Sequence, residues 1–257
     1  MLNLVSVNIE GKRHFSKIEQ LLVQIKPDIV CMQEVFENDI ARLEAMVASY
    51  TGMSVVSYFT PILLKTSDGV DKTQKDLDDG EYVLIPWGTL IVTTLPTTAY
   101  REQYYFGNRD RLNVHRAGIF TDVALALSSV VVQKDGQLFQ VATTHFCKNE
   151  PGDVASDFQR EQIVGLLQAL KELKDVIVCG DFNAPRGGEI FTMLAEKYKD
   201  NIDSSYTTSL DPDLHRAGPL PYMVDGLFTT PEYKVTHMHF ETGVSDHYAI
   251  VATIERV

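Results

Sequence analysis

The chain has little that would divide it or anchor it. No stretch is rich in Pro, Gly or Ser, no segment repeats, and no tract is of low complexity. These absences exclude a solenoid or a linker-joined array and predict one domain over residues 1–257. No apolar run approaches the ~20 residues that cross a bilayer as a helix, so stable membrane insertion is not expected. The start, Met1 to Val5, lacks the basic opening and long apolar core of a secretion signal. Cysteine is scarce: Cys31, Cys147 and Cys179 stand far apart. An odd number without zinc-like spacing predicts free thiols, a reducing compartment and hence a cytoplasmic location. Basic residues are also short, 23 against 35 acidic, for a net charge of −12. With no Lys/Arg cluster, this argues against a surface built for broad contact with nucleic acid, while leaving room for a local basic cleft. Nothing in the chain calls for an obligate protein partner.

What is present is an ordinary globular composition, 44% hydrophobic over 257 residues, enough for a sizeable core. From Leu2 to Ile9 apolar residues alternate as in a strand, with Leu2, Leu4 and Ser6 on one face and Val5, Val7 and Ile9 on the other. Phe15, Ile18, Leu21, Leu22 and Ile25 then recur at helical spacing up to Pro27. Asp28–Met32 is a second strand ending at Gln33-Glu34, and Asn38–Tyr50 a second helix. Further strands are predicted over 54–64, 82–95, 119–133 and 138–146, the last two joined by the Asp135-Gly136 turn. Residues 65–80 and 199–221 are expected to be long loops. Helices are predicted over 155–173 and 189–198, and final strands near 222–229, 235–240 and 248–254. Hairpins mixed with crossover helices predict two mixed β-sheets packed as a sandwich, with helices on the outer faces.

The most informative run is Val176-Ile177-Val178-Cys179-Gly180-Asp181-Phe182-Asn183. It reads as a buried strand that delivers a carboxylate and an amide at its carboxyl end. Period-two alternation puts Asp181 and Asn183 on one face and Phe182 on the other. Such a pair suits a hard divalent cation or a phosphate oxygen. Asp246-His247 forms a second polar cluster at the start of a strand. Taken singly, each of these residues has an ordinary explanation: an Asx-turn for Asp181 and Asn183, a satisfied core histidine for His145, a surface charge for Glu34, a bulge for Asp225. His14, His237 and His239 are read as surface residues.

Taken together, Asn8 with Gly11, Gln33-Glu34, Thr144-His145-Phe146, Gly180-Asp181-Phe182-Asn183, Val224-Asp225-Gly226-Leu227-Phe228 and Ser245-Asp246-His247 stand in order along the whole chain, each at a predicted strand end. This set resembles the endonuclease/exonuclease/phosphatase superfamily. The resemblance implies the four-layer fold of deoxyribonuclease I and a divalent-metal-dependent phosphoric ester hydrolase, most simply a phosphodiesterase, using Mg²⁺ or Mn²⁺. It implies Glu34 as metal ligand with Asn8 and Asp246 beside it, Asp181 as the residue that positions or deprotonates water, and Asn183 and His145 on phosphate oxygens. It also implies His247 oriented by Asp225, with the general base left open between Asp181 and His247. His145 matches deoxyribonuclease I and sphingomyelinases, where abasic-site nucleases usually carry Tyr.

The substrate is then a phosphate ester, either a small molecule or a nucleic acid. Alternatives are a phosphomonoesterase on a sugar, inositol or nucleotide phosphate, a DNA-repair nuclease, or a catalytically dead binding module. For substrate contact the candidates are Arg116, whose planar guanidinium suits phosphate, and Tyr206, His215 and Arg216 in the long loop before Asp225. The segment Tyr100 to Arg111, which mixes aromatics with arginines, is read as a strand.

Overall fold

The computed structural model describes residues 1–149 and 154–257. Its first strand, β1 (Leu2–Asn8), displays the alternation in the sequence directly. Leu2 and Leu4 enter one apolar cluster, while Val5 and Val7 enter another on the opposite face. The second cluster is closed by α1 (Phe15–Ile25) and α2 (Ile40–Thr51), whose Ile18, Leu22, Leu43 and Val47 are buried against the sheet. α1 ends where Lys26 turns left-handed, just before Pro27.

Between and after these helices run β2 (Ile29–Phe36), β3 (Val56–Thr66) and β4 (Leu84–Thr93), joined in one sheet with β11 (Tyr233–Glu241) and β12 (Ala249–Arg256). The order is β11-β12-β1-β2-β4-β3. A second sheet has the order β5-β6-β7-β8-β10-β9, from Thr97–Phe106, Leu125–Lys134, Gln137–His145, Ile177–Asp181, Asp225–Thr229 and Lys199–Asp200. β1 pairs in parallel with β2 and β7 in parallel with β8, and the remaining pairs are antiparallel, so both sheets are mixed.

The two sheets face each other across Leu4, Cys31, Ile91, Val141, Cys179 and Leu227. On the far side of the second sheet, α4 (Asp157–Lys171) and α5 (Glu189–Ala195) bury Ile163, Leu166, Ile190 and Phe191. Helix, sheet, sheet, helix is the four-layer arrangement expected.

The boundaries differ in places. The stretch expected to be a loop after residue 64 contains α3 (Gln74–Asp79), started by a Thr73/Asp76 capping box, and β3 itself runs on to Thr66. The strand expected from Ile119 begins only at Leu125. The loop expected from Lys199 opens with the short β9, which hydrogen-bonds to β10.

Toward one end the layer between the sheets turns polar. Gln33 Nε2 donates across it to Thr143 Oγ1 at 3.1 Å. The inward positions of β1 read Leu2, Leu4, Ser6, Asn8; those of β8 read Ile177, Cys179, Asp181. One step beyond the apolar layer, the strands deliver acids, amides and imidazoles instead.

Candidate active site

Register builds the centre of this site. β7 and β10 flank β8, so His145 and Asp225 both stand directly opposite Asp181 in their pairings. Gly180 makes the close approach possible. Its φ is +145°, and a Cβ there would lie 2.1 Å from the Thr144 carbonyl oxygen.

Asp181 Oδ2 is the point of convergence. Asn8 Nδ2 donates to it at 3.1 Å and also to Glu34 Oε1 at 3.2 Å, which ties the two sheets together. His145 Nε2 stands 3.4 Å and His247 Nε2 3.8 Å from the same oxygen. On its other side, His247 shares a 2.8 Å hydrogen bond between Nδ1 and Asp225 Oδ2. Asp181, Asp225, His145 and His247 are all buried. Burial alone would raise the Asp181 carboxyl, but the His247 and His145 imidazoles and the Asn183 amide hold it down at about 2. Burial pushes the His247 imidazole down, and the Asp225 and Asp181 carboxylates push it up by more, so it lies well above its usual value. Each group thus favours the charged form of the other, the carboxylate of Asp181 and the protonated imidazole of His247.

Asn183 leaves the strand with φ +46°. Its backbone N–H donates to Asp181 Oδ1 at 2.8 Å, and its Nδ2 donates to the Phe146 carbonyl at 3.0 Å. The turn is therefore real, and Asn183 also lines the cleft.

A second group of acids lies beside this centre. Glu34, Asp246 and Glu10 line one cleft of about 390 Å³. Glu34 sits at φ +63° in an irregularity between Met32 and Val35, where β2 slips against β4. Such a bulge re-aims one side chain out of the alternating pattern. Burial pushes the Asp246 carboxyl up to about 7; His247 pulls against this, and Glu34 and Glu10 reinforce it. Glu10 stands out only here. It is buried at φ +47°, and Arg216 Nε donates to its Oε1 at 2.8 Å, with His14 Nε2 3.0 Å from Oε2. The sequence signal was its place two residues after Asn8 at a strand end.

Two sets of side chains could hold a cation. Asp181, Asp225 and His247 offer ligand atoms within 4.8 Å of one another. Asp225 and His247 already hydrogen-bond each other, and Asp181 Oδ2 accepts from Asn8 Nδ2. Glu10, Glu34 and Asp246 are not gathered that closely among the described residues, but they line the cleft and offer oxygen alone, which suits a hard ion such as Mg²⁺ or Mn²⁺.

Of the substrate-contact candidates, His215 and Arg216 line the cleft. Burial, with the nearby His247 and Lys148 charges, lowers the His215 imidazole. Arg116 and Tyr206 are not brought there. Arg116 pairs with Asp122 and reaches Gln74, lining a separate hollow beside α3. Tyr206 packs edge-on against Phe240, ring centroids 4.9 Å apart. Trp87, whose ring lies 5.3 Å from that of His145, forms part of the cleft wall.

The profile of the Endonuclease/Exonuclease/phosphatase family matches residues 5–247. The chain belongs to this family. Its members are phosphoester hydrolases, among them phosphatases, nucleases and phosphodiesterases. The chain is similar in fold to a family protein from Leptotrichia buccalis, with a TM-score of 0.69 at 19% identity over 99% of this chain and 100% of that one. It is similar also to a mannosyl-6-phosphatase from Bacteroides thetaiotaomicron, TM-score 0.64 at 14% identity over 99% and 100% of the two chains. D. rerio TDP2, solved with a single-strand DNA product, matches with a TM-score of 0.64 at 17% identity over 99% and 98%. No curated protein sequence matches the chain. No helix among the described residues is long and apolar enough to cross a membrane.

Proposed function

We propose that this chain is a single-domain phosphoric ester hydrolase in which water attacks phosphorus in line with the leaving oxygen. The observation that carries this reading is the convergence of Asn8, His145 and His247 on one oxygen of Asp181, beside three cleft-lining acids.

Glu34 and Asp246 would hold Mg²⁺ or Mn²⁺, with Glu10 adding charge and Asn8 fixing the Glu34 carboxylate through its 3.2 Å hydrogen bond. Bound there, the ion supplies charge neutralisation on the phosphoryl oxygens and a supply of ordered water. Asp181, ionised and rigidly held, orients the nucleophilic water and accepts its hydrogen bond. His247 is protonated at rest, so it serves as a donor to the charge that builds on phosphorus-bound oxygen, and Asp225 holds it in that state. His145 also donates. It lines the cleft with Nε2 3.4 Å from Asp181 Oδ2, beside the place a substrate oxygen would take. Asn183 and Arg216 complete the contacts to phosphate.

A phosphodiester is the first reading. A phosphomonoester of a sugar, inositol or nucleotide is the second, favoured by the cleft's limited volume and by Lys148 and Arg216 at its rim. The three buried free thiols support a cytoplasmic setting.

The test is hydrolysis of bis-p-nitrophenyl phosphate and p-nitrophenyl phosphate with Mg²⁺, with Mn²⁺ and with EDTA, alongside Asp181→Asn. We expect metal-dependent cleavage, reduced at least ~100-fold in the variant. The preferred ester separates the two readings. Equal turnover by wild type and Asp181→Asn would overturn the role of Asp181. No turnover of either ester with saturating metal would count for a binding module.

A further inference from the structure

The cleft carries polar groups that hydrolysis itself does not use. Lys65 near the end of β3, Asp71 in the loop that follows, and His115 all line it. Asp71 Oδ1 lies 3.2 Å from Lys65 Nζ and 3.3 Å from His115 Nε2. Among the described residues Asp71 Oδ2 takes no hydrogen bond, and 40% of the side chain remains exposed. Lys65 and His115 are held in place by backbone, and Asp71 is held by these two side chains. The His115 N–H donates to the Leu64 carbonyl at 2.8 Å, and the Leu64 N–H to the Asn113 carbonyl at 2.8 Å, so the segment before His115 is stitched to β3. His115 and Lys65 keep the Asp71 carboxyl below its usual range against the effect of burial. The cleft therefore has a fixed anion with one open oxygen, flanked by two fixed donors.

An anion repels phosphate, so this end of the cleft suits the organic part of the ester. Two of its aromatic rings, Trp87 and Phe146, are not free for a nucleobase. Lys65 Nζ sits 4.7 Å over the Trp87 ring, which is only 5% exposed, and Lys148 Nζ sits 5.8 Å from the Phe120 centroid. Phe146 is buried against Tyr105. A hydroxyl both donates and accepts. Adjacent hydroxyls can donate to Asp71 Oδ2 while accepting from the remaining hydrogens of the Lys65 ammonium, with His115 Nε2 spent on holding Asp71 Oδ1 in place.

We infer that Lys65, Asp71 and His115 form a subsite for the alcohol half of the ester, selecting a polyhydroxylated alcohol such as a sugar over a nucleoside. This inference rests on the hydrolase reading above and names its substrate class.

The test is calorimetric binding of glucose 6-phosphate, adenosine monophosphate and inorganic phosphate, in the presence of Mg²⁺, to wild type, Asp71→Asn and His115→Gln. Thermal unfolding serves as the control for folding. Wild type is expected to bind glucose 6-phosphate more tightly than the other two. Asp71→Asn should weaken that binding about 10- to 100-fold, the range for a hydrogen bond to a charged group. It should shift inorganic phosphate far less, and His115→Gln should act in the same direction more weakly. Three results would each overturn the subsite: equal affinity for glucose 6-phosphate and inorganic phosphate, preference for adenosine monophosphate, or no effect of Asp71→Asn on the hexose ester. Asp71-dependent hexose phosphate binding by a protein that cleaves neither p-nitrophenyl ester would instead remove the hydrolase reading and leave the subsite standing.

Discussion

Glu34 occupies a backbone conformation that a glutamate does not choose. Among the described residues five non-glycines have positive φ. Lys26 caps α1 and Asp135 makes the β6–β7 turn. The other three, Glu10, Glu34 and Asn183, all line the cleft. Strain of this kind costs about 1–3 kcal/mol per residue and persists where the surroundings impose it. Glu34→Asn is therefore expected to keep or raise the melting temperature, since asparagine tolerates the left-handed region, while metal affinity measured by calorimetry falls by at least ~10-fold. A clear drop in melting temperature would mean that Glu34 is structural. The Asp225–His247 pair gives a second expectation, with a sign set by linkage. His247 is held above its ordinary 6.5, so its share of the pairing is present below that pH and is lost as pH rises through the raised value, while burial raises Asp225 so that its charge is given up toward acid pH. Asp225→Asn should destabilise the protein by about 3 kcal/mol at pH ~6. The gap from wild type, followed by urea unfolding in EDTA, should narrow toward alkaline pH. A gap that widens with pH would contradict the assignment. At this scale Asn8, Asp181 and His247 were legible because polar residues ending apolar strands have no packing reason to be there. Glu10 and Asp71 were not, since an acid in a turn or loop looks like any solvated charge until its neighbours across the cleft are known.

At the scale of elements, the site depends on three adjacent strands staying in register. β8 is the middle one, and the Gly180 backbone presses against β7. Gly180→Ala would push a methyl group into the Thr144 carbonyl from a φ that L-residues rarely adopt. We expect a loss of at least ~2 kcal/mol in urea unfolding. Activity should fall by more than stability explains, because Asp181 would leave its row with His145 and Asp225. Near-normal turnover in a folded Gly180→Ala protein would show that this register is not what sets the chemistry. The strands themselves were readable: alternation in β1 and the apolar run of β8 are signals that packing against two faces imposes. α3 was missed because six residues, Gln74–Asp79, bury nothing and so carry no apolar period. The bulge at Glu34 was missed because a register slip belongs to the pairing of β2 with β4 and leaves no mark on either strand alone.

Over the whole molecule, charge limits what the cleft can meet. A net charge of −12 surrounds a site whose own acids, Glu10, Glu34, Asp71 and Asp246, sit among Lys65, Lys148 and Arg216. A bound divalent ion would offset part of this locally but would not create a basic track across the surface. A polyanion gains most of its affinity from counterions released along many phosphates, and that gain collapses as salt rises. A small ester bearing one phosphate engages a few fixed groups inside a cleft, where screening by solvent ions is weaker. For p-nitrophenyl esters we expect kcat/KM to change by less than ~10-fold between ~50 and ~200 mM salt. A single-stranded oligonucleotide should bind weakly at the higher salt. If instead an oligonucleotide is cleaved efficiently and its kcat/KM falls by ~1,000-fold or more over the same range, the working surface extends well beyond the cleft. The acidic surface would then be a poor guide, and the nuclease reading would replace that of a small-molecule ester hydrolase.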